Sequence, residues 1–445
     1  MGNPVVGAAR RVFKWDYKMD PRIAYLSPMP PARTGIATYS KAVLEGLERI
    51  RYTNEHHQVE AIWPLRPRHE GTMPWYRMGV YHLGNNVEFH RDIYRHAIQT
   101  PGLVVIHDLA LDDFVRGMIA NGDPLGYQAM REGIANAPKL ADFEDAVRNE
   151  PLRVPYVAHV ARRARGIVAH SPFVERYLRA FGCRTPVFVA PHPVVESWDA
   201  IKRAATHRAA VRGPLEGMGM RTLVGVFGDL NSSKLIDLVL GAVAQLSPSV
   251  HVALVGRRIE ANDVDDWVAA SGIADRVTLR PDVTDEQFLS WMGAADIAVD
   301  LRYPHRGEVS GSLARAMQSG LPTVVSATGT YLDISDELVV RVPAGRPEPA
   351  EIASVLRRLV DEPELRARIG GAARAHMEAQ DREDRTAHVY AEAIEGTLAL
   401  LADPSRRVLS RWGGALADLG VTEEHLAAGY GSSYARGLEE FTAPS

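Results

Sequence analysis

Cysteine is almost absent from this chain of 445 residues, since Cys183 is the only one. A lone thiol excludes an internal disulfide and a zinc site built from cysteines, and it is typical of a protein in the reducing cytoplasm. Apolar runs stay short of the ~20 residues that would cross a bilayer, and the first residues lack the apolar segment of a secretory signal. We therefore expect a cytoplasmic location.

A strong charge of one sign is lacking too, because the formal net charge is only −4 at pH 7. No basic stripe with interleaved aromatic residues runs through the chain, so we expect no nucleic-acid partner. One basic stretch comprises Arg148, Arg153, Arg162, Arg163 and Arg165. It is either a solvated helix face or a surface for an anionic acceptor or a membrane, which keeps peripheral membrane contact as an alternative.

Short apolar strands alternate with helical stretches in two separate series. Each series begins with a strand that enters a glycine-bearing turn and then a helix, at Gly35 in the first and at Gly228 in the second. Alternation of this kind predicts parallel sheets, and the glycines allow close approach of a ligand to the backbone. The sequence therefore predicts an α/β fold of two Rossmann-like, doubly wound domains that face each other across a cleft.

Residues 300–326 are predicted to form the end of a strand, a loop, a helix with a sharp carboxyl end, and the start of the next strand. Ser310 is predicted as the N-cap of that helix. The backbone N–H groups of Ser310, Gly311 and Ser312 would then point outward, and the helix dipole adds positive charge. An ordinary capped helix packed on a sheet is the alternative. Because Lys234 is also placed to meet a phosphate, the sequence predicts a diphosphate site.

Polar residues recur where strands of the first series end. Four of these strands end at or near a histidine, namely His82, His107, His170 and His192. The carboxyl ends of parallel strands line the ligand crevice of an open sheet, so this repeated placement favours a functional role over isolated structural hydrogen bonds. Asn86 and Asp108 stand at the same strand ends. We assign them, with His170, to the acceptor side of the cleft.

A pair of aspartates resembles the D-x-D pattern that holds a metal–diphosphate complex. Asp263 and Asp265 form this pair, but they immediately precede a helical stretch. Asp263 is therefore predicted as a helix N-cap, and no metal site is predicted.

With these pieces in place, the chain resembles the nucleotide-sugar glycosyltransferases of the GT-B type, in particular the large retaining family 4. The resemblance covers about residues 20–400. Its motifs are Thr34-Gly35-Ile36, Leu83-Gly84-Asn85-Asn86, Val105-Ile106-His107-Asp108, Ala169-His170-Ser171, Gly228-x5-Lys234 and Gly307-Glu308-Val309-Ser310-Gly311 followed by Ala316-Met317-x-x-Gly320-Leu321-Pro322.

The resemblance implies transfer of a hexosyl unit from a nucleotide diphosphate sugar to a hydroxyl group, with retention of configuration and without a metal or other cofactor. The acceptor would be a glycan, a lipid-linked molecule or a small molecule. Catalytic roles are implied for His107, Lys234, Glu308 and Arg302. Donor binding is implied for Lys234, Arg302 and Glu308. It is also implied for Gly35, Gly228, Ser310, Gly311, Ser312 and Arg315.

Two departures from the family pattern bear on the donor site. Most members carry an arginine directly after the glycine of the Gly-x5-Lys turn, where this chain has Asp229. Most also carry two glutamates eight apart; those positions are Gly307 and Arg315 here, with Glu308 shifted by one. A subset of bacterial members has a similar Gly-Glu-x-Ser-Gly form, which indicates an active variant. Arg302 or Arg315 is then expected to supply the missing guanidinium.

Other functions remain alternatives. A GT-B-shaped epimerase would act on the donor without an acceptor, and a phosphorylase would need inorganic phosphate. A non-catalytic scaffold partner of an active transferase would bind the donor without turnover, and the departures at Asp229 and Arg315 favour that interpretation.

The domain organisation is predicted from the two series of strands and helices together with the resemblance to GT-B glycosyltransferases. It consists of a lead-in (1–20), a first, acceptor-side domain (20–195), a linker (196–221), a second, donor-binding domain (222–382), a helix that crosses back to the first domain (383–402) and a helical extension (403–445).

Overall fold

The computed structural model describes residues 20–55, 57–65, 76–259 and 263–402. Over these residues, twelve strands form two sheets of six, and every pairing between neighbouring strands is parallel. The predicted α/β fold of two doubly wound domains is therefore confirmed. The predicted extension over 403–445 and nearly all of the lead-in lie outside the described residues.

The first sheet has the strand order β2-β1-β3-β4-β5-β6. Its strands are β1 (Asp20–Leu26), β2 (Val59–Ile62), β3 (Tyr76–Leu83), β4 (Leu103–Ile106), β5 (Gly166–Ala169) and β6 (Val187–Val189). Strands β4 and β5 are buried at every position, as expected for parallel strands covered by helices on both faces. The strand order reverses between β1 and β3, and an open sheet forms its ligand crevice at such a point.

The second sheet has the order β12-β11-β10-β7-β8-β9. Its strands are β7 (Thr222–Phe227), β8 (Val250–Gly256), β9 (Val277–Pro281), β10 (Ile297–Asp300), β11 (Thr323–Ser326) and β12 (Val340–Val342). Here the reversal falls between β7 and β10. The Gly228 turn follows β7, and the loop that leads to Ser310 follows β10. The fold thus brings the two predicted halves of the diphosphate site to one switch point.

Helices cover the faces of both sheets. Those of the first domain are α1 (Gly35–Arg49), α2 (Tyr52–Glu55), α3 (Val87–Gln99), α4 (Asp112–Ala120), α5 (Pro124–Asn136), α6 (Glu144–Arg148), α7 (Ala158–Ala161) and α8 (Pro172–Ala180). The later ones are α9 (Trp198–Thr206), α10 (Arg208–Gly217), α11 (Ile236–Ala244), α12 (Asp263–Ala270), α13 (Asp285–Ala294), α14 (Gly311–Gln318), α15 (Pro349–Asp361), α16 (Pro363–Arg382) and α17 (Arg385–Ala402). Within the described residues, no helix combines the length and the apolar character needed to cross a membrane.

The segment 196–221 is not the simple linker that its glycines suggested. It folds into α9 and α10, which pack against α13 of the second domain. Arg212 anchors α10, because its guanidinium lies 2.7 Å from a carboxylate oxygen of Asp296 and also donates to the carbonyl of Arg221. Alanine and arginine favour helix, and this preference outweighs the cost of the glycines near the end of α10.

Helix α17 begins two residues after the predicted start at 383 and contacts the first domain. The hydroxyl of Tyr390 lies 2.9 Å from that of Tyr39 on α1. At the start of the helix, the guanidinium of Arg49 pairs with Asp384 at 2.7 Å. The contacts are those expected for a chain that returns to the domain where it began.

The basic stretch of the first domain is largely neutralised by local partners. Arg148 pairs with Glu144 at 2.6 Å, and Arg163 pairs with Glu132 at 2.8 Å. Arg162 lies 3.8 Å from the same glutamate. These ion pairs favour a solvated helix face over a surface for anionic partners.

Candidate active site

The amino-terminal end of α14 has the open geometry that the sequence predicted. Ser310 is its N-cap: the hydroxyl accepts from the backbone N of Leu313 at 3.2 Å and lies 3.0 Å from the hydroxyl of Ser312. A Cβ added to Gly311 would meet only Nε2 of His192, at 3.6 Å. The backbone can therefore be approached closely here, and the helix start is suited to an anion.

Gly228 brings the second half of the site to the same place. Its φ of +96° lies in the region that favours glycine. A Cβ at this position would lie 3.4 Å from Oγ of Ser312 and 3.8 Å from Cε of Lys234. The convergence expected from the parallel sheet is thus present, although Lys234 ends a short 3₁₀ turn (Ser232–Lys234) rather than opening α11.

Asp300, at the end of β10, is the centre of a buried charge cluster. Its Oδ1 accepts from Nζ of Lys234 at 2.7 Å and from the hydroxyl of Ser312 at 3.2 Å. Its Oδ2 accepts from the hydroxyl of Tyr331 at 2.8 Å. The Lys234 side chain is 1% exposed. Sequence analysis missed Asp300, because its role depends on Lys234, Ser312 and Tyr331, which other elements of the fold bring to it.

The charged groups in this cluster shift one another's pKa. Burial alone would raise the pKa of Asp300, but the Lys234 ammonium and the Arg302 guanidinium hold it well below its usual range. Burial and the charge of Arg302 lower the pKa of Lys234 to about 8. Lys234 therefore remains an ammonium at pH 7, and Asp300 a carboxylate.

Arg302 links this cluster to Glu308. Its Nε lies 3.1 Å from Oε1 of Glu308, and its Nη2 lies 3.8 Å from Oδ1 of Asp300. The backbone N of Arg306 donates to the other Glu308 oxygen at 2.6 Å. Glu308 is thus fixed in one orientation, with a guanidinium between it and the cluster.

Arg315 is directed elsewhere. Its Nε lies 2.6 Å from Oε1 of Glu196, in the segment before α9. Of the two arginines proposed from the sequence, only Arg302 contacts the residues around Lys234. Arg302 is therefore the one of these two arginines that lies at the charge cluster.

A further guanidinium lies at the Gly228 turn. Arg257 pairs with Asp229 through two contacts of 3.1 and 2.9 Å, and it donates to the backbone carbonyl of Arg33 in the first domain at 2.8 Å. The guanidinium of Arg257, directly after β8, thus lies beside position 229, where this chain has an aspartate. The two consecutive arginines that follow β8 were the feature of the sequence that could have indicated this contact.

Tyr39 of α1 lies at the centre of the predicted histidine group. Its ring centroid is 4.7 Å from that of His107, 4.9 Å from that of His170 and 5.3 Å from that of His192. Burial lowers the pKa of His170 to about 3 and that of His192 to about 4. It also lowers the pKa of His107 well below its usual range. At these pKa values the imidazoles are neutral at pH 7, so each offers one N–H donor and one acceptor nitrogen.

Asn85, which precedes the predicted acceptor-side residue Asn86, connects the end of β3 to Asp108. The backbone N of Asn85 donates to Oδ2 of Asp108 at 2.8 Å. Asn86 instead caps α3, accepting from the backbone of Glu88 at 2.8 Å. Burial and the nearby charge of Glu308 in the second domain raise the pKa of Asp108 to about 6. The assignment of Asn86 to the acceptor side stays a prediction, and the structure gives it a capping role.

The loop before Glu308 joins the domains. Arg306 donates through Nε to Asp112 at 2.9 Å and through Nη2 to Asp113 at 2.8 Å. Its carbonyl accepts from the backbone N–H groups of Leu109 and Ala110 at 2.8 and 3.0 Å. This contact, which we call the Arg306 latch, places Glu308 beside the strand end that carries His107.

Beside the latch, the loop also hydrogen-bonds to the segment after α6. The side-chain amide of Asn149 donates to the carbonyl of His305 at 2.6 Å and accepts from its backbone N at 3.1 Å.

Gly35 begins α1 in open surroundings. Thr34 caps this helix, and a Cβ added to Gly35 would meet no atom within 4 Å. The glycine therefore leaves the turn accessible.

A cavity of about 570 Å³ opens beside the start of α14. Both domains and the segment that leads into α17 contribute to its walls, through residues such as His170, Ser310, Tyr331 and Arg385. Its volume falls within the range of pockets that hold small ligands.

Asp263 and Asp265 do not form part of this site. Asp265 pairs with Arg258 at 2.7 Å, and Asp263 is the first residue of α12. In the described part of the chain, no group of three or more His, Cys, Asp or Glu side chains is arranged to hold a metal ion.

Comparison with known proteins places these features in context. Residues 214–376 match the family described as glycosyl transferases group 1. A D-inositol 3-phosphate glycosyltransferase of Streptomyces avermitilis is 32% identical over 254 residues, which are 53% of each chain. The enzyme of the same name from Streptomyces coelicolor is 32% identical over 206 residues, covering 42% of this chain and 44% of that protein. The chain thus aligns with about half the length of these relatives.

Two solved structures share the arrangement of both domains. Sucrose-phosphate synthase from Thermosynechococcus elongatus gives a TM-score of 0.55 at 17% identity, with 88% of this chain and 100% of that one covered. Anabaena HepE in complex with UDP and glucose gives 0.52 at 17% identity, with coverage of 85% and 100%. The chain therefore has the GT-B glycosyltransferase fold, and its second domain matches the group 1 glycosyl transferases.

Proposed function

We propose that this protein transfers a hexosyl unit from a nucleotide diphosphate sugar to a hydroxyl acceptor, with retention and without a metal. The contact that carries the proposal is Arg302 between Glu308 and Asp300, since it sets a fixed cation and a fixed carboxylate beside the open start of α14. The family match and the fold support it. HepE, which has this fold, was solved with UDP-glucose, and that supports a nucleotide sugar as donor.

Each group of the site has a role in this reaction. The α14 N–H groups, Lys234 and Arg302 would hold the diphosphate and stabilise the charge that develops as the bond from C1 to the phosphate oxygen breaks. The acceptor oxygen would attack C1 from the same face, and its proton would pass to the leaving phosphate oxygen. Glu308 and neutral His107 would bind sugar hydroxyls. A nucleoside diphosphate and a glycoside are the products.

A screen of nucleotide sugars by thermal shift, followed by product analysis, tests the proposal. We expect one nucleotide diphosphate hexose to stabilise the protein, and its sugar to appear on a hydroxyl acceptor with the anomeric configuration of the donor. The relatives' name makes D-inositol 3-phosphate the first acceptor to try. Conversion of the donor alone would indicate an epimerase, a need for inorganic phosphate a phosphorylase, and binding without turnover a scaffold.

The first prediction concerns metal. Backbone N–H groups, Lys234 and Arg302 can meet the diphosphate charge, so we expect the transfer rate to survive excess EDTA. Asp263→Ala, which removes the first aspartate of the D-x-D pair, should leave kcat within about twofold of the unmodified protein, as is usual for a surface substitution. An absolute requirement for Mn²⁺ or Mg²⁺ that disappears with Asp263→Ala would contradict this prediction.

The second prediction separates the two arginines. Arg302→Ala removes a charge that contacts both carboxylates of the site, so donor affinity and kcat/KM should fall by about two orders of magnitude, since each 1.4 kcal/mol is about tenfold. Arg315→Ala serves as the matched control, because its guanidinium binds Glu196 instead. Donor affinity is measured by calorimetry. If Arg315→Ala abolished binding and Arg302→Ala left it unchanged, the assignment would be wrong.

A further inference from the structure

His82 forms a hydrogen bond with His107. It is the seventh residue of β3, is 0% exposed, and lies opposite Val105 of β4 in the sheet. Its Nδ1 is 2.9 Å from Nε2 of His107, and the two rings are inclined by only 29°. The contact therefore joins the predicted sugar-binding imidazole to a second imidazole in the buried part of the domain.

A single proton occupies this hydrogen bond. Burial keeps the pKa of both histidines well below the usual range, so both are neutral at pH 7. A neutral imidazole has one N–H donor and one acceptor nitrogen. Either His82 donates from Nδ1 to Nε2 of His107, or His107 donates from Nε2 to Nδ1 of His82. Whichever histidine donates, the other histidine carries its own proton on the ring nitrogen that lies outside this hydrogen bond.

The outer nitrogen of His82 decides between the two arrangements. Its Nε2 is buried and has no hydrogen-bond partner among the described residues. If His107 donated, this nitrogen would carry a proton and be a buried donor without an acceptor. Orphaned buried N–H groups are rarer than incompletely satisfied acceptors. The proton of His82 therefore belongs on Nδ1, directed at His107.

The consequence appears at the other end of His107. Its Nε2 accepts from His82, so its own proton resides on Nδ1. Nε2 of His82 is a buried atom without a hydrogen-bond partner in the described residues, but Nδ1 of His107 is not. The His107 side chain is also partly exposed. It can thus donate to a group in the cleft.

We infer that His82 is a positioning residue that holds His107 in the Nδ1–H form, so that His107 presents an N–H donor to an oxygen of the donor sugar. The role in catalysis rests on the proposed function. The tautomer itself does not, because it follows from the contacts of His82 alone. An acceptor nitrogen in this place would favour only hydroxyl groups that can donate, whereas an N–H binds any sugar or phosphate oxygen.

The surroundings of His82 keep its ring in this orientation. Tyr25 lies 4.5 Å away between ring centroids, and the Tyr390 ring stacks within 12° of parallel at 6.3 Å. His90 donates from Nδ1 to the backbone carbonyl of His82 at 3.0 Å. A ring packed on two sides and held at its own backbone has little freedom to turn its nitrogens away from His107.

Nitrogen NMR of the full chain with ¹⁵N-labelled histidine tests the inference. The signals of His107 are assigned by their loss in His107→Gln. We expect the Nδ1–H pattern in the unmodified protein, and a shift toward a mixture of tautomers in His82→Phe, which keeps the ring volume but removes the hydrogen bond. An Nε2–H pattern for His107 in the unmodified protein would overturn the inference whether or not the protein transfers sugar.

Kinetics supply a second readout with a conservative rescue. His82→Phe should lower kcat about tenfold or more with KM nearly unchanged, by analogy with residues that orient metal-ligating histidines, whose loss typically costs about 10- to 100-fold in activity. His82→Asn places an amide N–H near the position of Nδ1 and should recover most of that loss together with the Nδ1–H signal. Loss of kcat in both variants with an unchanged His107 signal would count against the positioning role.

His159→Phe is the matched control. His159 is also buried, with one nitrogen unpartnered and the other 2.6 Å from the hydroxyl of Tyr94, but it lies away from the cleft in the core around α7. Its replacement should leave the His107 signal and kcat unchanged even if it lowers the melting temperature. A His107 signal that moved equally in this variant would show a general effect of core substitutions and overturn the specific role of His82.

Discussion

Lys234→Ala is expected to lower kcat/KM by about two orders of magnitude or more, and to destabilise the protein at the same time. The loss of rate follows because the ammonium lies at the convergence of the Gly228 turn and Ser312, where a diphosphate would carry its charge. The loss of stability follows because Asp300 would remain buried without its closest counter-charge. Breaking a buried pair in this way typically costs roughly 3–5 kcal/mol.

The double variant Lys234→Ala/Asp300→Asn separates these effects. The asparagine oxygen can still accept from one of the two hydroxyls, Tyr331 or Ser312, and the other hydroxyl can accept from the asparagine NH2, while the uncompensated negative charge is gone. We expect the melting temperature to recover most of its loss and kcat/KM to remain low. Recovery of both quantities together would show that Lys234 serves stability alone and would contradict its role at the diphosphate.

Arg306→Ala should loosen the contact between the domains and lower kcat roughly 10- to 100-fold. The arginine joins Asp112 and Asp113 of the first domain to the loop that holds Glu308. Truncating one partner of a buried charge pair typically costs roughly 2–5 kcal/mol, and the half-exposed Asp113 puts this case at the lower end. Small-angle scattering should show a larger radius of gyration, with a melting temperature close to that of the unmodified protein.

Arg148→Ala is the control for the latch, since its ion pair with Glu144 is exposed and stays within one helix of the first domain. It should change neither the radius of gyration nor kcat. An Arg306→Ala protein with normal dimensions and normal kcat would show that the remaining contacts between the domains, such as Asn149 with His305, are sufficient.

Much of the fold was predictable from the sequence because its signals are local. The helix after β10 begins at its predicted cap, Ser310, and ends before Gly320, whose φ is +75°. The two glycine turns after β1 and β7 mark the beginnings of the two domains. The helices in the segment 196–221 were not predicted, because Arg212 is anchored by Asp296, a residue 84 positions away that no local pattern connects to it.

The candidate site was predicted only in part. Ser310, Gly311 and Ser312 follow from helix capping, and Arg302 was one of two alternatives. Partners contributed by other elements were missed: Asp300 with Lys234, Tyr331 with Asp300, Arg257 with Asp229, and the Arg306 latch. Each depends on which strand ends become neighbours and on side-chain direction, which composition and spacing do not encode.

The contact between Tyr39 and Tyr390 has a consequence for biosynthesis. Tyr39 is 2% exposed and Tyr390 is fully buried, although about 350 residues separate them along the chain. During translation the first domain leaves the ribosome long before Tyr390 does. The space that Tyr390 fills beside Tyr39 and His82 therefore stays empty while the second domain is synthesised. Chaperone binding to the ribosome-bound chain should therefore persist until α17 has been synthesised and has left the ribosome.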